Sequence, residues 1–386
     1  MRHFDVIILG AGASGLMCAA QLREKSSLKV ALIEGNMKPA LKLKASGGGK
    51  CNLTNVEVNA SHFLGKESLV SHALGVFSKE ALLRYFHNGG LRPVIRKERY
   101  YFCPKSSDEV ISILLEKSRG SEMLMGHNIV SVEGNSPFIV TTDKAKFSAS
   151  HVVVATGGAS YKALGASDIG LKIAQEYGHS IIPFAPALVG LTLQPKEFWM
   201  KELSGVSVKA RIMVAGKILD EDLLFAHKGI SGPVVLSASL YWHRGEISIN
   251  FCPDLDLKSL ENEKKLLSTG LPLPKRFSKA FLEAIGLEDK PCNRLNVDER
   301  SKLSLIQNYK MAPSGTFGLT KAEVCRGGLA CEELEPHTMQ STKVKGLYFI
   351  GETVDVTGEL GGYNFQWAFS SAVVCATSVV NNNSIK

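Results

Sequence analysis

The 386 residues carry 45 Lys and Arg against 37 Asp and Glu, a formal charge of +8 that is modest for this length. With 45% hydrophobic and 21% charged residues, the composition is that of an ordinary soluble globular protein with room for two or three domains. No apolar stretch approaches the roughly 18 residues of a membrane span, and the N-terminus enters a strand at once without a basic-then-apolar leader, so a cytoplasmic protein is expected. The eight cysteines are scattered, with no C-x-x-C and no zinc-like cluster; free, mostly buried thiols and no metal site are expected.

The chain opens on a strand, Asp5 to Leu9, that runs into Gly10-Ala11-Gly12-Ala13-Ser14-Gly15 and then a helix from Leu16 to Lys25. A second apolar run, Val30 to Ile33, ends on Glu34. Strand, G-x-G-x-x-G, helix, strand and terminal acid are the parts that hold a dinucleotide. Gly10 permits the tight turn, Gly12 leaves room for a pyrophosphate, and Gly15 lets helix and strand pack closely. The helix start, with Ala13 and Ser14, offers N–H groups and a partial positive charge to phosphates, and Glu34 accepts from ribose hydroxyls.

Next comes Lys42 to Asn55, with Gly47, Gly48 and Gly49 in a row before Lys50, Cys51 and Asn52. Three consecutive glycines suit neither helix nor strand interior, and point to a loop pressed on a flat or anionic ligand, with Lys42 and Lys50 near negative charge. Ser78 to Asn88 reads as a helix capped by Ser78 and stopped by Gly89-Gly90; Arg99 to Pro104 as a short extended segment; and Ser107 as the cap of a helix to Lys117. Residues 123–150 alternate like strands, among them Ile129-Val130-Ser131-Val132, with Val130 assigned to the cofactor. Val152 to Ala155 is a wholly apolar strand ending in Thr156-Gly157-Gly158, as for a central parallel strand whose end faces a cofactor. A helix follows from Ser167 to Gly178.

From about residue 191 short β-like runs suggest a small antiparallel sheet or barrel. Within it, Leu224 to Pro233 reads as a loop before a helix. His227 and Ser231 either line a substrate pocket or belong to a structural turn. Residues 255–312 are polar and helix-favouring, broken by Pro272, Pro274 and Pro291. The α/β texture returns at Gly346 to Glu352, followed by Asp355 and then Gly361-Gly362-Tyr363-Asn364 opening an apolar helix to about Val380.

FAD makes three demands: a pyrophosphate cradle, polar groups for the ribityl chain, and flat backbone contact for the flavin. The first unit meets one, Gly351-Glu352 or Asp355 another, and the Gly361-Gly362 turn the third, since a helix N-terminus beside the flavin N1/O2 edge stabilises the reduced ring. An NAD-only enzyme has no use for this late glycine turn, so FAD is expected. Only one dinucleotide unit is present, so any NAD(P)H visits the substrate face or is absent altogether.

These residues resemble the YhiN/BaiN-like flavoproteins, a family of NAD(P)/FAD-dependent, aminoacetone-oxidase-like enzymes. The resemblance covers nearly the whole chain and rests on Gly10 to Gly15, Ser46 to Asn55, Thr156 to Tyr161, His227 to Pro233, and Gly351-Glu352 through Asn364. It implies a glutathione-reductase-type FAD-binding Rossmann-like α/β domain (1–190 and 336–386), a β-barrel-like insert (191–254 and 313–335) and a helical insert (255–312). The chain departs from the family's usual Arg, Pro and Thr at Lys50, Lys162 and Ala226; a lysine at 50 loses bidentate phosphate geometry.

An FAD-dependent oxidoreductase transferring hydride at flavin N5 is therefore expected, acting on a small molecule as monomer or homodimer, with His227 and Tyr363 as candidates for proton transfer or substrate orientation. The alternatives are a flavoprotein acting on tRNA and a non-catalytic flavin sensor. The linear charge pattern shows no coherent basic surface, so a nucleic-acid partner is not expected.

Overall fold

The computed structural model describes residues 1–384. It divides into two compact units, one formed by residues 1–185 with 324 onward and the other by Pro186–Glu323.

The first unit is built on β1 (Arg2–Leu9), α1 (Ala13–Lys25) and β2 (Val30–Glu34). β1 lies parallel to β2 on one side, with Ile8 opposite Leu32, and parallel to the strand Lys146–Val154 on the other, with Ile8 opposite Val153. Ile7, Ile8, Leu32 and Val153 are fully buried, which explains why these strands read as continuous apolar runs. The strand Glu122–Met125 extends the sheet beyond β2.

Lys146–Val154 has two roles. Its first half pairs antiparallel with Phe138–Thr142, and its second half lies parallel to both β1 and Leu347–Phe349. The sequence reading separates these halves because the pattern changes along the strand, from half-solvated hairpin to buried parallel core. α1 packs along the C-terminal helix Tyr363–Ser384, four residues longer than expected.

Local capping follows the sequence at one helix and departs from it at another. Lys79–Asn88 starts at Ser78, whose Oγ accepts the Ala81 N–H at 3.4 Å, and ends at Gly89. Asp108–Lys117 also forms, but Ser107 does not cap it; the Ser107 hydroxyl donates to the Lys44 carbonyl at 2.8 Å and ties the helix start to the glycine-rich segment.

The second unit contains a seven-stranded antiparallel sheet. Its pairing runs from Tyr309–Met311 through Ile247–Asn250, Ser207–Val214, Lys217–Ala226, Gly229–Ser231 and Leu191–Thr192 to Gly315–Thr316. The two end strands are joined by residues 312–314, which span at most roughly 14 Å, whereas seven flat strands spread over about 29 Å. The sheet must therefore curl round on itself. Residues 224–231, read from the sequence as a loop, are a two-residue hairpin turning at His227-Lys228.

The helical segment is not separate from this sheet. Phe277 and Phe281, on Lys275–Ala284, stack at 5.8 Å and meet Phe225, Phe251 and Tyr309 of the strands and their ends. The shared aromatic core makes one unit where the sequence suggested two inserts. The chain also leaves this unit earlier than expected, at Val324 rather than 336, where Val324–Leu329 pairs with Ile181–Ala187, the strand that ends the first unit's N-terminal stretch.

A buried network staples the first unit. Glu333 accepts from His179 Nδ1 at 2.9 Å and the Ser180 N–H at 2.9 Å, and pairs with Lys343 at 3.0 Å. His179 Nε2 meets Ser341 Oγ at 2.9 Å. Burial opposes ionisation of Glu333, but the bonds from His179, Ser180 and Lys343 override it and hold the carboxyl at about 2 against an ordinary 4.5. A depressed carboxylate stabilises the fold above its unfolded pKa and loses that contribution as pH falls through the folded value. Glu333→Gln should therefore cost on the order of 3 kcal/mol above about pH 5, with the difference from wild type shrinking below pH 4.5 and gone near pH 2. Urea unfolding across this range measures it; a pH-independent difference would refute the assignment.

Candidate functional site

The three glycine-rich turns converge within the first unit. Gly10 has φ +106°, and a Cβ there would lie 2.5 Å from the Ala155 carbonyl oxygen, so the first turn presses on the end of the Lys146–Val154 strand. A Cβ on Gly15 would lie 2.0 Å from the Gly10 oxygen, which closes the strand–helix corner. Gly12 differs: nothing lies within 4 Å of the place its Cβ would occupy. Gly12 is the N-cap of α1, no side chain caps it, and the first turn, with Ala13 and Ser14, holds no acid. Open space at an uncapped helix N-terminus is what a pyrophosphate requires.

Glu34 sits at the end of β2. One carboxylate oxygen accepts the Ala11 N–H at 3.0 Å; the other accepts the Asn36 N–H and side-chain amide, each at 2.9 Å. These bonds fix the carboxylate beside the first turn. Thr156-Gly157-Gly158 follows Ala155, and the Gly157 N–H donates to Thr353 Oγ1 at 3.1 Å.

Lys42 faces a protein carboxylate. Its Nζ lies 2.6 Å from Glu352 Oε2 and 2.6 Å from Ser160 Oγ. Glu352 also accepts the Cys325 N–H at 2.8 Å. Burial, followed by the Glu352 charge, pushes the Cys325 thiol up to about 11. The Asp355 carboxylate accepts the Gly327 N–H at 3.0 Å, and burial raises its pKa above the usual carboxylate range.

The segment expected to be a loop starts as a helix, Leu41–Gly49, that breaks at Ser46. Gly47, Gly48 and Gly49 all take left-handed φ, at 57°, 64° and 82°. Cys51 follows at φ 41°, fully buried. Gly48 and Gly49 open onto space, whereas a Cβ on Gly47 would stand 3.0 Å from the Phe102 ring and 3.2 Å from the Asn52 N–H nitrogen. Lys50 closes the turn, its N–H donating to the Gly47 carbonyl at 3.3 Å.

The late turn meets the same segment. A Cβ on Gly362 would be 2.7 Å from Thr54 Cα, and one on Gly361 would be 2.7 Å from the Tyr100 ring. The Asn55 amide donates to the Gly361 carbonyl at 3.1 Å. The first and last turns are joined too: a Cβ on Gly351 would be 2.7 Å from Ser14 Oγ, and the Gly351 carbonyl accepts from Trp367 Nε1 at 2.9 Å.

Tyr363 is buried, stacked on His62 with centroids 4.7 Å apart, and edge-on to Phe63. Burial first, and Glu359 second, raise its phenol pKa well above the ordinary 10, although Arg99 opposes the shift. It therefore keeps its proton at neutral pH. Asn364 is committed to the fold, exchanging two 2.9 Å hydrogen bonds with the Gly358 backbone. Val130 sits at a bulge in the 129–134 strand and is 56% exposed. His227 is at the exposed hairpin tip of the second unit, whereas Tyr363 belongs to the first. Sequence reasoning missed Ser160, Thr353 and His62, whose partners are 118, 196 and 301 positions away. All eight cysteines are free and buried.

The pattern of close packing at Gly10 and Gly15 with open space at Gly12, Gly48 and Gly49 fits FAD. A family model described as the HI0933-like protein Rossmann domain matches residues 4–378. The chain belongs to this family. It is an FAD-binding oxidoreductase, as the resemblance to YhiN/BaiN-like flavoproteins implied. It is 37% identical to an Escherichia coli protein named ribosomal RNA dihydrouridine synthase, over 98% of this chain and 99% of that one. It is 28% identical to a Clostridium scindens protein named 3-dehydro-bile acid delta(4,6)-reductase, over 94% and 96% of the two chains. Among solved structures, the 3-ketosteroid delta1-dehydrogenase of Sterolibacterium denitrificans shares the fold at a TM-score of 0.55 and 11% identity, over 99% of this chain and 100% of that one. No helix among the described residues is long and apolar enough to cross a membrane.

Gly12→Ala should fold with stability within about 0.5 kcal/mol of wild type, because its Cβ meets nothing, yet purify with less flavin. Gly15→Ala should unfold at lower temperature even as apoprotein. Thermal unfolding and the ratio of flavin to protein absorbance separate the two; full flavin content in Gly12→Ala would remove the pyrophosphate from this turn.

Proposed function

We propose that the protein reduces the C5–C6 double bond of uridine in ribosomal RNA, with NAD(P)H as the electron donor. The observation that carries this reading is the end-to-end similarity to a relative named for that reaction, at 37% identity. The bile acid relative is named for a related conversion, saturation of a carbon–carbon double bond conjugated to a carbonyl. The nucleic-acid partner set aside on linear charge pattern thus becomes the leading one, with ribosomal RNA in place of the tRNA alternative.

In balance, NAD(P)H and a proton are consumed, C6 of uracil gains hydride, C5 gains the proton, and NAD(P)+ and dihydrouridine leave. Bound FAD supplies the two-electron carrier between donor and base. The chain has one dinucleotide fold, so donor and RNA take turns at a single cradle.

The protein's own groups supply orientation and charge. The uncapped start of α1 and the open Gly48-Gly49 backbone offer N–H donors, Glu34 supplies acceptors at the strand end, and Lys42 and Glu352 form a neutral pair beside Thr156-Gly157-Gly158. Tyr363 holds a proton on Oη at neutral pH and can donate a hydrogen bond to a uracil carbonyl, but cannot act as a base there. The expected small-molecule site, with His227 orienting the substrate, remains open to test through Tyr363→Phe and His227→Ala.

Anaerobically reduced protein should be reoxidised by deproteinised ribosomal RNA with formation of dihydrouridine, and neither by tRNA nor by a steroid enone. Reoxidation by the enone alone would overturn the RNA assignment. Tyr363→Phe should keep its flavin and lose on the order of 10²-fold in the rate of reoxidation by RNA. An unchanged rate would remove Tyr363 from the reaction.

A further inference from the structure

Residues 92–102 carry Arg92, Arg96, Lys97 and Arg99 against a single acid, Glu98. The sequence reading took only Arg99 onward as a short extended segment. The structure makes a hairpin of Val94–Arg96 and Tyr100–Phe102, closed by the Arg99 N–H donating to the Arg96 carbonyl at 3.1 Å. Lys97 and Glu98 both take left-handed φ, 48° and 57°, and with Arg99 form a three-residue loop between the paired Arg96 and Tyr100. The tip carries charge. Arg92, Lys97 and Arg99 are exposed, as is every residue of the outer strand Val94–Arg96.

The arm stands directly on the flavin cradle. Two of its aromatic rings are those already met at the glycine turns: Phe102 against Gly47 and Tyr100 against Gly361. The Arg96 guanidinium lies 4.9 Å from the Phe102 ring centroid and that of Arg99 lies 5.3 Å from the Tyr100 centroid. Planar cations rest on rings that themselves abut both turns. A charged edge strand also discourages edge-to-edge pairing of sheets, but that duty requires neither arginines seated on aromatic rings nor a position against the cofactor's glycines.

We propose that the Arg92–Phe102 hairpin is an RNA-binding arm that holds the phosphates flanking the uridine presented to the flavin. The proposal rests on the RNA-reductase reading. A base must leave its stack for its C5–C6 edge to be reached, so the backbone on either side has to be held in the unstacked form. Arginines held over aromatic rings combine phosphate attraction with guanidinium planes on which an unstacked base can rest, beside the exposed Val94 and Ile95.

The test is binding of deproteinised ribosomal RNA to the FAD-loaded full chain over a sodium chloride series. Arg96→Glu with Lys97→Glu should weaken binding at least tenfold, and the neutral Arg96→Gln with Lys97→Gln should flatten the slope of log affinity against log salt by about 0.7 per cation removed. Flavin content reports that the cradle still folds in each variant. Wild-type affinity and slope in both variants, while wild type binds and reduces RNA, would overturn the arm. If the variants bind RNA normally and lose reduction of the flavin by NAD(P)H instead, the arm serves the donor and the proposal is equally overturned. A wild-type protein that neither binds RNA nor is reoxidised by it would defeat the RNA reading itself.

Discussion

The structure depends on side chains that are missing. At Gly10, Gly15, Gly47, Gly351, Gly361 and Gly362, a single added carbon would meet a neighbour at 2.0 to 3.0 Å. Those neighbours are the Ala155 and Gly10 carbonyls, Ser14, Thr54 and the rings of Phe102 and Tyr100. Apart from the local Gly15–Gly10 contact, each pair comes from segments distant in sequence, and close approach there draws the first turn, the left-handed turn, the central strand and the C-terminal helix into one cradle. Gly12, Gly48 and Gly49 meet nothing. The glycines therefore divide into those that let the protein touch itself and those that leave room for something else.

Charge follows the same division. Lys42 is spent on Glu352 and Ser160, and Glu352 also takes a backbone N–H from Cys325, so this part of the site is neutral and self-satisfied. The start of α1 has no such internal partner among its side chains. An anion is thus drawn to the helix end, and groups near the Lys42–Glu352 pair meet fixed dipoles rather than a free cation. The lysine was read from the sequence as lying near the negative charge of a ligand because its protein partner stands 310 positions later.

Legibility tracks sequence separation. The β1–α1–β2 unit was fully readable because each of its signals, the buried strand, the glycine spacing and the terminal acid, lies within thirty-four residues. The Ser78 cap was equally local. Ser107 looked like the same signal, but its hydroxyl is taken by a carbonyl 63 residues away, and no local pattern reports that. The helical insert looked independent because its polar face and prolines dominate the sequence; Phe277 and Phe281, which bind it to the sheet, are two residues in a long stretch. The arm was missed for a different reason: its four cations are diluted in a chain-wide count, and a three-residue turn sets them against the rings of the returning strand.

The arrangement also explains how one fold can serve chemically unlike substrates. The solved steroid dehydrogenase shares the fold at 11% identity, so the framework tolerates nearly complete replacement of its residues. The Cβ-free contacts shape the cradle, since a larger residue there meets backbone at Gly10, Gly15 and Gly362 and a packed side chain at Gly47, Gly351 and Gly361. The Arg92–Phe102 hairpin is bound by this constraint only at its base, where Tyr100 and Phe102 press on the glycine turns. Its outer strand and tip touch solvent and can change charge without moving the cradle. Substrate choice can thus reside in an element whose inner strand is fixed to the flavin site by two rings and by its pairing with Asn52–Asn55, and whose outer strand Val94–Arg96 is exposed.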